Sequence, residues 1–232
     1  MTFKIKKKTV NLPDLSIIIP VKDQLSYLDK CLASLQNIKN IVCEIIIVND
    51  GSNAETVNYL NQFPQLNVVH SNVSEGFIIS CHKGVERSTS KYLLFLNSDT
   101  ELIEPSSFRR MLDVIEKDKT IGVVGAKLLL DNDTIQHSGL VWDNSQMNFV
   151  HRHYGKFKDD PVVCVNEVVD VVTGACYLTT RDLWNKLGGF DKIYSLGYFE
   201  DSDFCVRAKE LGYKTFYCGD AVLRHYQSKS FL

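Results

Sequence analysis

The sequence predicts an α/β fold in which a mostly parallel sheet is flanked by helices. Three observations predict it: short β-branched runs end at turn residues, amphipathic helical patterns follow them, and the two alternate along the first hundred residues. Strands that alternate with helices of this length form βαβ units, whose crossovers make the strands parallel. At 232 residues the chain is long enough for one large core. We therefore expect one large domain rather than two small ones.

Strands and helices alternate through the first half of the chain. Residues 16–20 form a β-branched run closed by proline, which is typical of a strand covered on both faces. Residues 25–35 then carry leucines at three- and four-residue steps, the pattern of a helix packed on a sheet. Further strands are expected at residues 44–48, 66–70 and 92–96, and further helices at residues 54–63, 76–87 and 105–117.

The second half has a less regular pattern. An apolar stretch at residues 121–130 precedes a segment, residues 135–153, that is typical of hairpins. Later strands are predicted at residues 168–172 and 215–217, and later helices at residues 180–187 and 201–211. We expect this half to add a smaller antiparallel portion to the sheet.

The composition excludes several classes of protein. Apolar residues make up 44% of the chain and charged residues 23%, which is the balance of an ordinary folded domain. A formal net charge of −2 gives no general attraction to nucleic acid or to anionic lipid. No apolar run has the length of a membrane helix or the form of a signal peptide. We expect a cytoplasmic protein, with peripheral membrane association left open.

A basic cluster occupies the start of the chain. Four lysines lie between residues 4 and 8, within residues 1–15, which we interpret as a basic N-terminal extension. Such a cluster could bind a membrane surface or nucleic acid, but a solvated tail or a linker remnant is the simpler interpretation.

The cysteines predict free thiols rather than a disulfide framework or a zinc site. There are seven of them, an odd number, and no two are spaced as Cys-x-x-Cys. We therefore expect buried thiols in a reducing compartment.

Polar residues at the carboxyl ends of the strands are the first candidates for a site, because ligands of open parallel sheets bind there. Asp99 directly follows the apolar strand at residues 92–96. A hard cation such as Mn²⁺ or Mg²⁺ takes few oxygens from protein and the rest from phosphates and water, so one carboxylate is sufficient. Asp99 could instead cap the helix at residue 105 or close a turn.

Asp50 occupies the equivalent position after the second strand. Its carboxylate could accept a hydrogen bond from a base N–H or a ribose hydroxyl. The Asp-Gly-Ser sequence at residues 50–52 is also ordinary turn chemistry, so a structural role is the alternative.

Acidic residues open the helix predicted at residues 201–211. Asp201 lies one turn before Phe204, shares its inward face and could act as a general base. Asp203 precedes Arg207 by four residues and is expected to pair with it along the helix. The alternative for all these acids is stabilisation of the helix start through its dipole.

His225 follows the last predicted strand. A neutral imidazole can coordinate Mn²⁺, although a lone histidine is commonly a core or surface residue. Its position becomes meaningful only beside other candidate ligands.

Together these segments resemble the family 2 glycosyltransferases, enzymes of the GT-A fold that mostly use UDP- or dTDP-sugars and invert the anomeric centre. The similarity extends over about residues 16–228. The segments that carry it best are Ser-Ile-Ile-Ile-Pro-Val from residue 16, Ile-Ile-Ile-Val-Asn-Asp-Gly-Ser at residues 45–52, residues 94–100 and residues 199–207.

The resemblance implies a role for each segment. Asp50 contacts the nucleotide base, Asp201 is the general base, and Asp99 is the last acid of an Asp-x-Asp segment whose first acid is replaced by Asn97. His225 matches a histidine that completes the site for Mn²⁺ or Mg²⁺. The implied nucleotide-binding residues are Pro20, Val21, Asp23, Asp50, Gly76, Asn97 and Ser98, and the implied acceptor-side residues are Gly174, Ala175 and Glu200.

The implied reaction is a metal-assisted in-line transfer of a sugar to a hydroxyl of a glycan, glycolipid or glycoprotein. The implied partners are a nucleotide-sugar donor and a carbohydrate or glycoprotein acceptor, with no nucleic acid and with homo-oligomer formation left open. Residues 16–232 would form one GT-A domain, with nucleotide binding in residues 16–100 and acceptor binding in residues 101–232. The chain stops soon after His225, without the Gln-x-x-Arg-Trp segment of processive synthases, so we expect single-sugar addition by a domain of a longer protein.

Two alternatives remain open from the sequence. A sugar-nucleotide pyrophosphorylase needs a glycine-rich basic loop after the first strand, and residues 20–23, Pro-Val-Lys-Asp, contain no glycine. A catalytically silent nucleotide-sugar-binding module of a larger assembly would share the fold. Transfer or hydrolysis from a labelled nucleotide sugar would distinguish that module from an enzyme.

Overall fold

A mixed sheet of ten strands organises the chain. The computed structural model describes residues 12–195 and 198–227. The basic cluster at residues 4–8 and the end of the chain, residues 228–232, lie outside the described residues.

The first half alternates strands and helices as the sequence predicts. Its strands are β1 (Leu15–Val21), β2 (Cys43–Asp50), β3 (Asn67–Ser71) and β4 (Tyr92–Leu96). Its helices are α1 (Leu25–Leu35), α2 (Ala54–Asn61) and α3 (Phe77–Arg87). These four strands are parallel to one another in the order β4-β1-β2-β3.

The second half contributes the remaining elements. Its strands are β5 (Thr100–Leu102), β6 (Ile121–Leu129), β7 (Ile135–His137), β8 (Leu140–Asp143), β9 (Asn148–His151), β10 (Asn166–Val169), β11 (Cys176–Thr180) and β12 (Lys214–His225). Its helices are α4 (Ser107–Lys117), α5 (Arg181–Leu187) and α6 (Glu200–Glu210). Along the described parts of the chain, no helix combines the length and the apolar character needed to cross a bilayer.

One continuous sheet joins the two halves. Its order is β10-β12-β6-β11-β4-β1-β2-β3, with β5 paired to β12 and β7 paired to β6. Strand β11 is antiparallel to both neighbours, β4 and β6, whereas β12 is parallel to β6. Strands β8 and β9 form a separate hairpin. The predicted fold class, a mostly parallel sheet with an antiparallel portion, is confirmed.

Four strands of the second half differ from the prediction. Strands β5 and β11 were not predicted, because β5 has only three residues and the five residues of β11 lead directly into α5 without a turn. Strand β10 begins two residues before the predicted segment 168–172 and ends at Val169. Strand β12 continues past the predicted residues 215–217 as far as His225, after an irregularity between Cys218 and Val222.

Apolar layers cover both faces of the sheet. On one face Ile17 and Ile19 pack with α1 and α4, and on the other Ile18 packs with α3, α5 and α6. Burial on both faces explains why β1 has an apolar run rather than alternation. Five aromatic rings form the centre of the second layer: Phe95, Tyr177, Trp184, Phe190 and Phe204.

The prediction of buried thiols holds for most of the cysteines. Five are buried, but Cys43 is half-buried and Cys164 is exposed. The prediction is wrong for Cys164 because this residue follows a short 3-10 turn, Pro161–Val163, at the surface.

Candidate functional site

Two adjoining cavities lie at the carboxyl ends of β1, β2 and β4. We call the smaller one, of about 60 Å³, the inner cavity, and the larger one, of about 380 Å³, the outer cavity. The two share Phe77 and Asn97 in their walls. Predicted site residues that line the inner cavity are Pro20, Val21, Asp50, Asn97, Ser98 and Asp99, and those that line the outer cavity are Asn97, Gly174, Ala175, Glu200 and Asp201.

Asp99 and His225 meet beside the inner cavity. Pairing of β5 with β12 places His225 opposite Thr100, the residue next to Asp99. His225 Nε2 lies 3.1 Å from Asp99 Oδ1 and 3.3 Å from Asn97 Nδ2. Asp99 is 5% exposed, and its carbonyl oxygen accepts a hydrogen bond from the Tyr226 amide. Residues separated by more than a hundred positions thus form one cluster.

The orientation of the His225 ring fits a metal ligand. Its Nδ1 lies 2.9 Å from Oε1 of the buried Gln136. Because a carbonyl oxygen only accepts, Nδ1 carries a proton, and Nε2 is the ring nitrogen that faces the Asp99 carboxylate. A cation with metal–ligand bonds of about 2.1 Å holds adjacent octahedral ligands roughly 3.0 Å apart, close to the observed separation.

The protein would supply only part of such a coordination shell. Within residues 12–195 and 198–227, no group of three or more His, Cys, Asp or Glu side chains is arranged to hold a metal ion. Asp99 and His225 therefore fit a hard cation whose other ligands are phosphate and water oxygens.

The Asp50 carboxylate organises the loop that leads into α3. It accepts hydrogen bonds from Ser74 Oγ at 2.8 Å, from the Glu75 amide at 2.7 Å and from the Gly76 amide at 3.0 Å. A carboxylate has about four acceptor positions, so about one remains for a ligand. Gly76 adopts a φ of 90° and contacts Asp50 rather than lining either cavity.

Asp23 also lines neither cavity and instead forms hydrogen bonds with a neighbouring loop. Its Oδ1 accepts a hydrogen bond from the Asn53 amide at 2.7 Å, and its own amide donates to Ser52 Oγ at 2.9 Å. Asp23 thereby joins the loop after β1 to the loop after β2. The structure brings neither Asp23 nor Gly76 to the lining of the two cavities.

Two neighbouring acids at the start of α6 face the outer cavity. Glu200 is 6% exposed, and its Oε2 is buried without a hydrogen-bond partner. Burial, together with the charge of Asp201, raises the pKa of Glu200 to about 8. Burial also raises the pKa of Asp201, against the opposing effect of its hydrogen bonds.

Hydrogen bonds fix the Asp201 carboxylate. Oδ2 accepts from the Gly174 amide at 2.7 Å, and Oδ1 accepts from the Ser202 amide at 2.6 Å and the Ser202 hydroxyl at 3.1 Å. About one acceptor position remains for a group in the outer cavity. Asp203 instead pairs with Arg207 at 2.6 Å, which confirms the pairing predicted for these residues.

The sequence did not predict one wall of the outer cavity. Leu140, Asn148, Phe149 and His151, from the β8–β9 hairpin, line it. The sequence does indicate a hairpin in this region, but not that it folds against the cavity that contains Asp201. Tyr198 and Phe199 also line this cavity, with positive φ angles of 72° and 70°.

Comparison with known proteins identifies a family. A model of glycosyl transferase family 2 matches residues 16–188. The chain is 24% identical over 238 residues to the O-antigen biosynthesis protein RfbC from Myxococcus xanthus, in a match that covers 98% of this chain and 18% of that protein. The chain spans a quarter or less of the length of the first curated relatives it matches, 25% and 18%.

Two solved structures share the fold. GalNAc-T7 with UDP, GalNAc and Mn²⁺ matches with a TM-score of 0.78 and 17% identity, over 94% of this chain and 44% of that chain. The mannosyltransferase PcManGT from Pyrobaculum calidifontis, in complex with GDP-Man and Mn²⁺, matches with a TM-score of 0.68 and 14% identity, over 95% and 59% of the two chains. Since the family model covers most of the sequence, the chain belongs to glycosyl transferase family 2, and its sheet and helices form the GT-A fold.

Proposed function

We propose that this chain transfers a sugar from a nucleoside diphosphate to an acceptor hydroxyl, with inversion at the anomeric carbon. The observation that carries the proposal is the placement of Asp99 and Asp201 in adjoining cavities that share Phe77 and Asn97. The diphosphate of the donor binds at the inner cavity beside Asp99, and the acceptor occupies the outer cavity. Residues 16–100 supply most of the nucleotide side and residues 101–232 most of the acceptor side.

The structural neighbours support the class of the donor, and the side chains of the outer cavity support the class of the acceptor. We assign the donor as a UDP- or dTDP-sugar; in support of a nucleotide sugar, one structural neighbour contains UDP and the other GDP-Man. The acceptor is a carbohydrate, in line with the aromatic side chains of Phe149, Tyr198 and Phe199 in the outer cavity. Such rings offer a sugar flat apolar surface next to polar groups.

Asp201 acts as the general base. It removes the proton from the acceptor hydroxyl while that oxygen bonds to the anomeric carbon and the bond from this carbon to the diphosphate breaks. The raised pKa of Asp201 suits this role, because a base is most effective when its pKa approaches the working pH. Hydrogen bonds from Gly174 and Ser202 hold the carboxylate in place before the proton arrives.

Asp99 and His225 hold the divalent cation, Mn²⁺ or Mg²⁺. A bound cation supplies positive charge that stabilises the departing diphosphate. Gln136 keeps the His225 lone pair directed at the cation position through its contact with Nδ1.

Replacement of Asp201 tests the proposal. Asp201→Asn should lower kcat by on the order of 10² to 10⁴, because an amide cannot take the proton. Release of nucleoside diphosphate from UDP-, dTDP- and GDP-sugars, with p-nitrophenyl glycosides as acceptors, measures turnover. Calorimetric affinity for the nucleotide should not change, since Asp201 lines the outer cavity.

Asp203→Asn is the matched control on the same helix. This residue pairs with Arg207 and lines neither cavity, so its replacement should leave kcat within a few fold of wild type. Near-normal turnover of Asp201→Asn would refute the base assignment. A wild-type chain that binds nucleotide sugars but neither transfers nor hydrolyses them would be a silent binding module.

A further inference from the structure

Two histidines, His137 at the end of β7 and His151 at the end of β9, contact each other and have no part in the mechanism above. His137 is completely buried, and its Nε2 lies 3.3 Å from the Gly139 amide and 3.4 Å from the Thr173 amide. A backbone amide only donates, so Nε2 of His137 accepts from both. Burial holds the pKa of His137 well below its usual value. The ring is therefore neutral, and its single proton lies on Nδ1.

This proton determines the tautomer of the second ring. His137 Nδ1 lies 3.1 Å from His151 Nδ1, and the two rings are nearly perpendicular. Because His137 donates, Nδ1 of His151 must accept. Burial lowers the pKa of His151 as well, so this ring is also neutral. Its proton therefore lies on Nε2.

Because Nδ1 of His151 contacts His137, the protonated Nε2 is the ring nitrogen available to a ligand in the outer cavity. His151 lines that cavity together with Asp201, while its Nδ1 is occupied by His137. Among the residues that the structure describes, no hydrogen-bond partner of His151 Nε2 is found. The cavity thus receives an N–H donor from His151 and a carboxylate acceptor from Asp201.

We propose that His151 is an acceptor-positioning residue, whose Nε2–H donates a hydrogen bond to an acceptor oxygen in the outer cavity while His137 holds the ring in that tautomer. This inference rests on the proposed transfer reaction. The fitting acceptor offers one hydroxyl to Asp201 and a second oxygen, such as a neighbouring hydroxyl, to His151. The tautomer also excludes His151 as the base, because it presents no lone pair to the cavity.

The tautomer can be measured directly by NMR. Long-range ¹H–¹⁵N correlation of the full chain labelled with ¹⁵N-histidine distinguishes a protonated from an unprotonated ring nitrogen. His151→Gln assigns the His151 signals by their loss. We expect the proton on Nε2 of His151 and on Nδ1 of His137, and a mixture of His151 tautomers in His137→Phe. A proton on Nδ1 of His151 in the wild-type chain would overturn the inference.

Kinetics then test the contact with the acceptor. With a UDP-sugar as donor and the p-nitrophenyl glycoside that wild type uses fastest as acceptor, His151→Phe should raise the acceptor KM about 3- to 10-fold, the value of one neutral hydrogen bond. The donor KM and the hydrolysis of the UDP-sugar by water should not change. His151→Gln, which restores an N–H donor, should recover most of the acceptor affinity.

His153→Phe is the matched control, since His153 follows the same hairpin but does not line the outer cavity. An unchanged acceptor KM in His151→Phe, or a parallel loss of transfer and hydrolysis, would overturn the positioning role. If wild type neither transfers nor hydrolyses any nucleotide sugar, the proposed function fails, whereas the NMR result still decides the tautomer.

Discussion

Glu200 and Asp201 are adjacent in sequence, but their carboxyl groups have different hydrogen-bond partners. Asp201 accepts hydrogen bonds from two backbone amides and one hydroxyl, all of which stabilise its ionised form. Glu200 Oε2 is buried without a partner, so ionisation of Glu200 is not compensated. At neutral pH we therefore expect Asp201 to carry the charge of the pair and Glu200 to stay protonated. That division leaves Asp201 ready to accept a proton.

The pKa of Glu200 makes stability depend on pH. It is about 8 in the folded chain against a reference value of 4.5, so between these values the folded state binds the extra proton. The stability that Glu200 contributes is fully present below pH 4.5 and is lost progressively as the pH rises from 4.5 to about 8. Glu200→Gln stays neutral, so its Tm relative to wild type should rise between pH 5 and about pH 8 and then level off.

Thermal unfolding of both chains across this pH range measures the effect. Glu210→Gln, at the exposed end of the same helix, is the control and should show no such trend. A Tm difference between Glu200→Gln and wild type that is the same at pH 5 and pH 9 would show that Glu200 does not titrate in this window.

The sequence locates individual candidate residues at the edge of the sheet better than it predicts the contacts they make. Asp99, Asp201 and His225 could be found because each follows or opens a recognisable element, and the structure places them around adjoining cavities. The partners of Asp50 and Asp23 could not be found, because a turn residue binds whichever loop lies beside it. The contact between His137 and His151 could not be predicted either, because it depends on how the β8–β9 hairpin packs against β7.

Among the elements, the contact between α3 and β1 is unusually close. A Cβ atom added to Gly84 would lie 2.3 Å from Cγ2 of Ile18, a fully buried side chain. Helix propensity alone favours alanine over glycine by about 1 kcal/mol. The close contact with Ile18 opposes this gain in helix propensity, because the backbone or the side chains around Gly84 would have to move to make room for a methyl group. We therefore expect the steric effect to decide the outcome.

Gly84→Ala should destabilise the fold by about 1–3 kcal/mol, the usual cost of overpacking. Urea unfolding measures this free energy. Glu86→Ala, an exposed position on the same helix, is the control and should change stability by about 0.5 kcal/mol or less. The Ile18→Ala variant has room for the new methyl group. In that background, Gly84→Ala should lower the free energy of unfolding by less than it does in the wild-type chain. A more stable Gly84→Ala chain would contradict the steric argument.

Most elements are encoded by local patterns, whereas the position of β11 is not. Apolar runs and leucine spacing predict β1 to β4 and the helices between them. The five residues of β11, Cys-Tyr-Leu-Thr-Thr, are a short mixed run, and Thr180 at its end already caps α5 by accepting from the Leu183 amide. Its insertion between β4 and β6 depends on pairing between strands about 80 residues apart, which no local pattern reveals.

At the scale of the whole molecule, the two halves of the chain share one sheet and one candidate metal site. Strand β4 of the first half pairs with β11 of the second. Asp99 comes from the first half and His225 from the second, and they meet at 3.1 Å. A ligand bound there would contact both halves, so its binding free energy should stabilise the entire fold rather than one local segment.

Metal removal is therefore expected to change the stability of the whole chain in the presence of nucleotide. A nucleotide at 100 times its Kd adds about 2.7 kcal/mol of stability, or roughly 5–10 °C in Tm for a domain of this size. Thermal unfolding with UDP should show this shift with Mn²⁺ and lose most of it with EDTA. Asp99→Ala should abolish the Mn²⁺-dependent part, whereas Asp131→Ala, which removes an exposed carboxylate that lines neither cavity, should keep it. An equal UDP shift with Mn²⁺ and with EDTA would contradict a metal bridge between nucleotide and protein.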